Sequence, residues 1–579
     1  MPELEITIPR PRRWDEPFGA EMTDGDVDGL LGIEPFRLID ASAFPPSLPL
    51  RGILRNDTRL MRYLPGDVIV REGDYGHSAF VILAGDVRIL LERLDPKLLG
   101  RAEAPRRGWW RAMAQLWHNS TVPETRHEST GRASASEAIH SRQEDGQTRV
   151  FLQDVPRLLE RSGSVQLSAG ELFGELATLT RAPRTATVVA ETAATLLEIR
   201  WQGLRDIMRR TPAIRQHVER LYRENSLLVH LRETPLLADL SEEALELVRD
   251  ATVFESYGNF DWYADFGKHR QRDPAEQLAA EPLIAAEGDP PNGLLLVRSG
   301  FARVTRRYGH GQQTLAYLGK GQVFGAEELA EAAESGAPVT WRHSLRAVGY
   351  VDVLRIPSDV FREVIWPQSG SGIKNQRAGS SSTPIGAVAG SVEVEDDPAR
   401  FDNSRLLDFL ADHRFLNGTQ TMLVNLDRCT RCDDCVRACA ATHDNNPRFV
   451  RQGPKHDNLM VANACMHCVD PVCMIGCPTG AIARDATNGT VRINDRTCIG
   501  CAMCANSCPY DAIRMVEVRE ESGAFLLDGA TRQPILKATK CDFCAGQLTG
   551  PACQHACPHD ALVRVDTSNI VGLANWLGK

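Results

Sequence analysis

The sequence predicts an α+β multidomain chain, with two β-rolls in tandem at the front and a compact cysteine-rich module at the back. Three observations predict it. A glycine-punctuated apolar pattern occurs twice before residue 368, a Gly/Ser/Pro-rich stretch runs from Gln368 to Asp402, and all sixteen cysteines fall within residues 429–579. At 579 residues the chain exceeds what one hydrophobic core supports, since single domains run about 100 to 200 residues. Hydrophobic residues at 42% and charged residues at 25% exclude wholesale disorder. A formal net charge of -10 does not supply the basic surface a general nucleic-acid binder needs, so nucleic acid is not an expected partner.

Residues 1–40 read as an N-terminal arm. MPELEITIPRPRRWDEPF lacks the apolar core of a signal peptide and a twin-arginine export pattern, and no stretch approaches the roughly 20 apolar residues that span a bilayer. The expectation is a cytoplasmic chain without a transmembrane segment.

Residues 41–231 form the first β-roll. Strand-like runs at Ala79–Leu83 (AFVIL) and Val87–Leu91 (VRILL) sit between glycine turns at Gly73, Gly76 and Gly85. The pattern turns helical after Ile199, with Ile214, Val218 and Leu221 at helical spacing until Thr234-Pro235. Residues 95–163 interrupt this roll as an insertion, polar enough to read mostly as disordered. Within it, RRGWWRAMAQLW (Arg106–Trp117) reads either as a basic amphipathic helix that meets a partner or an anionic surface, or as a helix packed on its own roll.

Residues 232–367 repeat the design. A helical LSEEALELVRDA leads into EPLIAAEGDPPNGLLLVRSGFARV, which echoes VIVREGDYGHSAFVILAGDVRI in the first roll, an internal duplication. Residues 368–402 read as a flexible linker, and residues 403–579 hold the cysteines.

In the first roll, FGELATLTRAPRTAT (Phe173–Thr187) places a glycine turn before a short helix whose free N–H groups suit an anion, followed by an arginine to pair with it. The segment resembles the phosphate-binding cassette of cyclic-nucleotide-binding domains, whose jelly-roll-like β-roll it implies. By that resemblance Phe173 and Gly174 open the turn, Glu175 accepts a ribose 2′-hydroxyl hydrogen bond, Gly174, Leu176 and Ala177 supply backbone, and Arg184 grips the cyclic phosphate. Thr185 points toward cGMP rather than cAMP. The second copy, VFGAEELAEAAESGAPVTWRHSLRAVG, keeps Phe324-Gly325 but shifts the acid to Glu327 or Glu328 and the arginine to Arg342 or Arg346, so a degenerate site is expected there.

The cysteines divide without remainder into Cys429, Cys432, Cys435, Cys439; Cys465, Cys468, Cys473, Cys477; Cys498, Cys501, Cys504, Cys508; and Cys541, Cys544, Cys553, Cys557. A loop carrying three closely spaced thiolates plus a trailing cysteine suits a cubane iron-sulfur cluster rather than paired zinc knuckles. Cys477, Cys508 and Cys557 precede proline, whereas Cys439 precedes alanine.

Residues 420–567 resemble the four-cluster ferredoxin-like electron-transfer subunits of molybdopterin oxidoreductases, through CTRCDDCVRAC, CMHCVDPVCMIGCPTGAI, CIGCAMCANSCPYDAI and CDFCAGQLTGPACQHACPHDAL. The resemblance implies four [4Fe-4S] clusters with crossed ligand sets: Cys429, Cys432, Cys435 with Cys557; Cys541, Cys544, Cys553 with Cys439; Cys465, Cys468, Cys473 with Cys508; Cys498, Cys501, Cys504 with Cys477. His443, His467, His555 and His559 are expected near the clusters without ligating them.

No helix-turn-helix, Walker or G-x-G-x-x-G motif or Ser-His-Asp set stands in context, so no catalytic residue is assigned. The reading is an electron-transfer subunit between redox partner proteins, a catalytic oxidoreductase subunit and another carrier, regulated by cGMP or cAMP. The alternatives are a redox- or oxygen-sensing signalling protein, or a carrier whose front half is only a docking scaffold.

Overall fold

The run Ala79-Phe80-Val81-Ile82 is apolar at every position because both faces of its strand are covered. The computed structural model of the chain describes residues 6–90, 122–124, 141–144, 147–150, 164–174, 183–184, 186–212, 214, 227–258, 274–308, 311–369, 406, 409–410, 412–486, 488–520, 522–545 and 550–566. In it, strand Ser78–Ala84 turns Phe80 and Ile82 into the roll and Ala79 and Val81 toward helices outside, as the two-residue period of a strand requires. Leu196 and Leu197 on the neighbouring strand divide the same way.

Two four-stranded antiparallel sheets make this roll. One has the order Val68–Val70, Thr187–Ala190, Val87–Leu90, Ser164–Leu167, and the other Thr58–Tyr63, Ala194–Arg200, Ser78–Ala84, Leu172–Phe173. Helices Asp24–Leu31 and Leu50–Asn56 cover the outer face with Val27, Leu30, Ile53 and Leu54. Thr23 starts the first of them with a capping box to Asp26.

Within the insertion 95–163, which its polarity reads as mostly disordered, Ser141–Glu144 pairs antiparallel with Gln147–Val150. Segment Arg106–Trp117, linker residues 370–402, and Val218 and Leu221 lie outside the described residues. The helix that follows Ile199 is Trp201–Arg210.

The described chain divides into two compact units. The first comprises Met1–Tyr222, Met422–Pro454 and Asn458–Val563, so the first roll and the cysteine-rich module are one packed body. Charged groups at the roll's helical edge explain this. Asp57 is fully buried and accepts from Arg13 Nη2 and Arg200 Nε, each at 2.8 Å, while Arg200 Nη1 donates across to Thr479 O at 3.0 Å. Arg205 donates to Ile475 O. The N-terminal arm completes the body, since Ile6–Ile8 pairs in parallel with Leu526–Asp528. From the insertion, the buried Glu124 lies 3.3 Å from Arg448.

The second unit repeats the roll. Strand Gly293–Tyr308 lies between Ser344–Pro357 and Gly311–Leu318, with Val253–Gly258 beyond. Leu294 and Leu296 face one core and Leu295 and Val297 the other, the division seen in the first roll. The described residues between 406 and 421, which the sequence groups with the cysteines, belong to this unit, where Asp412 accepts from Arg303 at 3.3 Å.

Candidate functional site

The four cysteine motifs share a backbone conformation that their residue types hide. The second residue after the first cysteine of each motif, Arg431, His467, Gly500 and Phe543, has φ of 61°, 49°, 66° and 61°. Only one of the four is glycine, the residue that adopts this left-handed region without strain. Three unrelated side chains held in it mean that the turn is imposed by what the loop must do, which is to curl three sulfurs toward one point.

A short helix then carries the third cysteine of each motif: Asp434–Thr442 for Cys435, Val472–Ile475 for Cys473, Met503–Ser507 for Cys504 and Ala552–His555 for Cys553. The first of these packs on the last, and the second on the third. That packing brings the distant fourth cysteines in. Cys429, Cys432, Cys435 and Cys557 line one hollow, together with Arg431, Arg451 and His559. Cys439 lies within electrostatic reach of Cys541, Cys544 and Cys553, Cys468 of Cys465, Cys473 and Cys508, and Cys504 of Cys477, Cys498 and Cys501.

These are unfavourable places for bare thiolates. Burial first, with neighbouring sulfurs adding to it, pushes Cys435 up to about 11 and Cys439 and Cys504 up to about 12, and raises Cys468 and Cys473 as well. Only a cationic centre makes four converging sulfurs favourable at neutral pH. The donor set therefore fits a metal cluster, and all sixteen cysteines are free of disulfides. Backbone N–H groups already point at sulfur: Arg448 N donates to Cys439 at 3.2 Å and Ala561 N to Cys557 at 3.3 Å.

The histidines lie beside these sets. His443 Nε2 is 3.6 Å from Cys544 Sγ, and His467 Nδ1 accepts from Val491 N at 3.0 Å. Sequence reasoning missed Lys540. It is buried, and its Nζ lies 3.2 Å from Cys465 Sγ while donating to Val491 O and Cys541 O. Its place directly before Cys541 was the available clue.

In the first roll, Gly174 has φ +79° and Phe173 stacks on Phe80 at 5.1 Å. Arg184, 7% exposed, donates from Nη1 to Gly174 O and from Nη2 to Ser78 O, each at 2.6 Å. Phe173, Gly174 and Arg184 are thus brought together, whereas Glu175, Leu176, Ala177 and Thr185 lie outside the described residues. In the second roll, a side chain at Gly325 would collide with the Trp341 ring. Arg342 is paired with Glu327 and Glu331 on the surface, and Arg346 donates to Glu281 O at 3.1 Å.

The cyclic nucleotide-binding domain family matches residues 157–211 and 275–366, one segment in each roll, and two 4Fe-4S dicluster domain families match 456–525 and 497–561. The electron transport protein HydN of Escherichia coli is 34% identical over 165 residues, which are 26% of this chain and 91% of HydN. The chain belongs to the HydN-like family. The module at residues 422–563 is accordingly an iron-sulfur electron-transfer module of HydN type. The beta subunit of an NADH-dependent phenylglyoxylate dehydrogenase from Aromatoleum evansii is also 34% identical, over 26% of this chain and 31% of that subunit. Among solved structures, the cAMP-bound regulatory domain of Toxoplasma gondii PKA is 16% identical, covering 62% of this chain and 99% of that one, with a TM-score of 0.21. Nothing in the HydN-like relative accounts for the front half, which carries the cyclic nucleotide-binding domains. Among the described residues no helix is long and apolar enough to cross a membrane.

Proposed function

We propose that this chain carries four [4Fe-4S] clusters between redox partner proteins, a catalytic oxidoreductase subunit and another electron carrier, in the reducing cytoplasm, and that cGMP or cAMP bound to the first roll regulates the flow. The observation that carries this reading is the crossed gathering of the cysteines, three from one loop and one from another motif, four times over. Each set would hold one cluster: Cys429, Cys432, Cys435, Cys557; Cys439, Cys541, Cys544, Cys553; Cys465, Cys468, Cys473, Cys508; and Cys477, Cys498, Cys501, Cys504. Each cluster would take up one electron and pass it on, with potentials set by burial and hydrogen bonds to sulfur. The chain's own part is to hold the clusters, to aim N–H groups and Lys540 at them, and to keep water from the buried sulfurs.

Arg184 supports the nucleotide reading, because its planar fork sits beside the Gly174 turn where a cyclic phosphate would replace two carbonyl partners. Among the described residues the second roll offers no comparable fork, with Trp341 against Gly325 and both candidate arginines engaged. It is a degenerate copy in this reading.

Anaerobic reconstitution tests the cluster count: about sixteen iron and sixteen sulfide per chain are expected, with reduced-cluster EPR signals, and eight of each would reduce the reading to two clusters. Equilibrium binding of cGMP and cAMP tests the regulatory half. A sensing role is favoured by one observation, the exposure of Cys432 alone among the sixteen cysteines. Reversible loss of a single cluster in air, without electron transfer to an artificial acceptor, would select it.

A further inference from the structure

Between Arg184 and the cysteine module run four consecutive residues, Tyr75 to Ser78, which make contacts to both. Toward Arg184 lie Gly76, where any side chain would overlap the guanidinium, and Ser78, whose carbonyl oxygen accepts from Nη2. Toward the module lie Tyr75 and His77. Tyr75 N donates to Ala486 O at 3.0 Å, and the Arg484 guanidinium stands 4.8 Å over its ring. His77 Nε2 is 3.0 Å from the Arg484 amide nitrogen and 2.8 Å from the Arg484 carbonyl oxygen, accepting from the first or donating to the second according to tautomer. Tyr75 is also bridged to Pro183, the neighbour of Arg184, and Ser78 begins a strand.

Arg484 continues the path. Its Nη1 donates to Gly489 O at 2.8 Å, and its Nη2 donates to Val469 O at 2.6 Å and to Cys468 O. It therefore clasps the loop that bears Cys468. A continuous path of hydrogen bonds and backbone joins Arg184 to the loop that bears Cys468, without passing through residues 368–402.

We infer that Tyr75–Ser78 couples nucleotide occupancy at Arg184 to the cluster of Cys465, Cys468, Cys473 and Cys508, with Arg484 as the positioning residue. This rests on the nucleotide and four-cluster reading above. A bound phosphate takes over the Nη hydrogen bonds that Gly174 O and Ser78 O hold here. Ser78 then shifts, His77 shifts with it, and the Arg484 clasp on the Cys468 loop changes. In return, one electron entering the cluster from an external donor adds negative charge beside Arg484 and resets the same chain in reverse. No bond to the nucleotide forms or breaks. Reciprocity follows from linkage: whatever factor the electron imposes on nucleotide affinity, the nucleotide imposes on the reduction equilibrium.

The test uses the full-length, anaerobically reconstituted protein, with cGMP and cAMP each titrated against the oxidised and the dithionite-reduced forms. Affinity is expected to differ between the forms by about fivefold or more, which for a one-electron couple is a midpoint shift of about 40 mV under saturating nucleotide. Tyr75→Leu and His77→Leu should each keep nucleotide affinity within about twofold and keep full iron content while abolishing the redox difference. His77→Gln, which retains a donor and an acceptor, should restore it. Equal affinity in both redox states of the wild type overturns the coupling and leaves the nucleotide site standing. Coupling that persists in both leucine variants overturns the route. Absence of binding by either nucleotide overturns the reading beneath it and the coupling together.

Discussion

Lys540 Nζ lies 3.2 Å from Cys465 Sγ inside the protein, and the same ammonium donates to the carbonyl of Cys541, a residue of a different cysteine set. Burial alone would lower the lysine's pKa, but the sulfurs of Cys465, Cys473 and Cys541 together, with the hydrogen bond to Cys465, hold it above its ordinary value. A fixed positive charge beside a cluster stabilises the reduced, more negative state. Lys540→Met removes it at similar volume. The expected result is a potential lower by about 60 mV for one cluster, the equivalent of roughly 1.5 kcal/mol for a hydrogen bond to a charged group. Spectroelectrochemical titration checks this, and an unchanged potential in a fully loaded variant would show that the charge is screened.

Arg184 gives the second prediction. Its guanidinium is buried and forked between two carbonyls, ready to be recruited by an anion. Arg184→Ala should weaken nucleotide binding about thirtyfold or more, since truncating a buried charged partner costs about 2 kcal/mol at the least. Arg184→Lys should fall between, keeping the charge and losing the fork. Isothermal titration on the three proteins decides it: equal affinities would mean that another residue holds the phosphate.

Much of this was legible in the sequence because it rests on periodicity and spacing. The strand-like run at Ala79–Leu83 and its echo within Glu281–Val304 showed a duplicated β-roll, and the sixteen cysteines showed their own grouping. What joins the pieces was not legible. Asp57 is one acid among many until the fold buries it between Arg13 and Arg200. His77 and Arg484 are 407 positions apart, and only folding makes them neighbours. The linker at residues 368–402 suggested a front independent of the back, yet the first roll packs with the cysteine module. Sequence distance carries no information about such docking, because the groups that make it are ordinary arginines and carbonyls. The left-handed turn shared by Arg431, His467 and Phe543 was equally hidden, as none of these residues favours it.

Cluster removal should act unequally on the two units. The cores around Met422 and around Met474 include Cys435, Cys439 and Cys553 in one and Cys473, Cys477, Cys498 and Cys504 in the other, so the converging sulfurs are part of the packing. Stripping iron leaves buried thiols where cluster bonds held the loops, and ligation energy is folding energy in small metal modules. Calorimetry of the chelated protein is expected to show loss of the transition of the first unit. The second roll, which contains no cysteine, should keep its transition within a few degrees. A common shift of both would mean that they unfold as one.

Asp57→Ala tests what ties the first roll to the electron-transfer module. Asp57 accepts from Arg13 and Arg200, and Arg200 in turn reaches Thr479 O, two residues from Cys477. Removing the acid leaves the Arg200 guanidinium buried without its carboxylate, and breaking a buried ion pair from one side costs about 3 to 5 kcal/mol. The arm loses less, because Arg13 also pairs with Asp206 at 2.9 Å. Denaturant unfolding should show that loss in the first unit alone, with hydrogen exchange quickening at residues 475–480 as the arginine contacts to Ile475 O and Thr479 O loosen. A change below about 1 kcal/mol would place Asp57 in a wetter setting than its complete burial indicates, and the arm and roll would then be held to the module by backbone pairing at Ile6–Ile8 more than by charge.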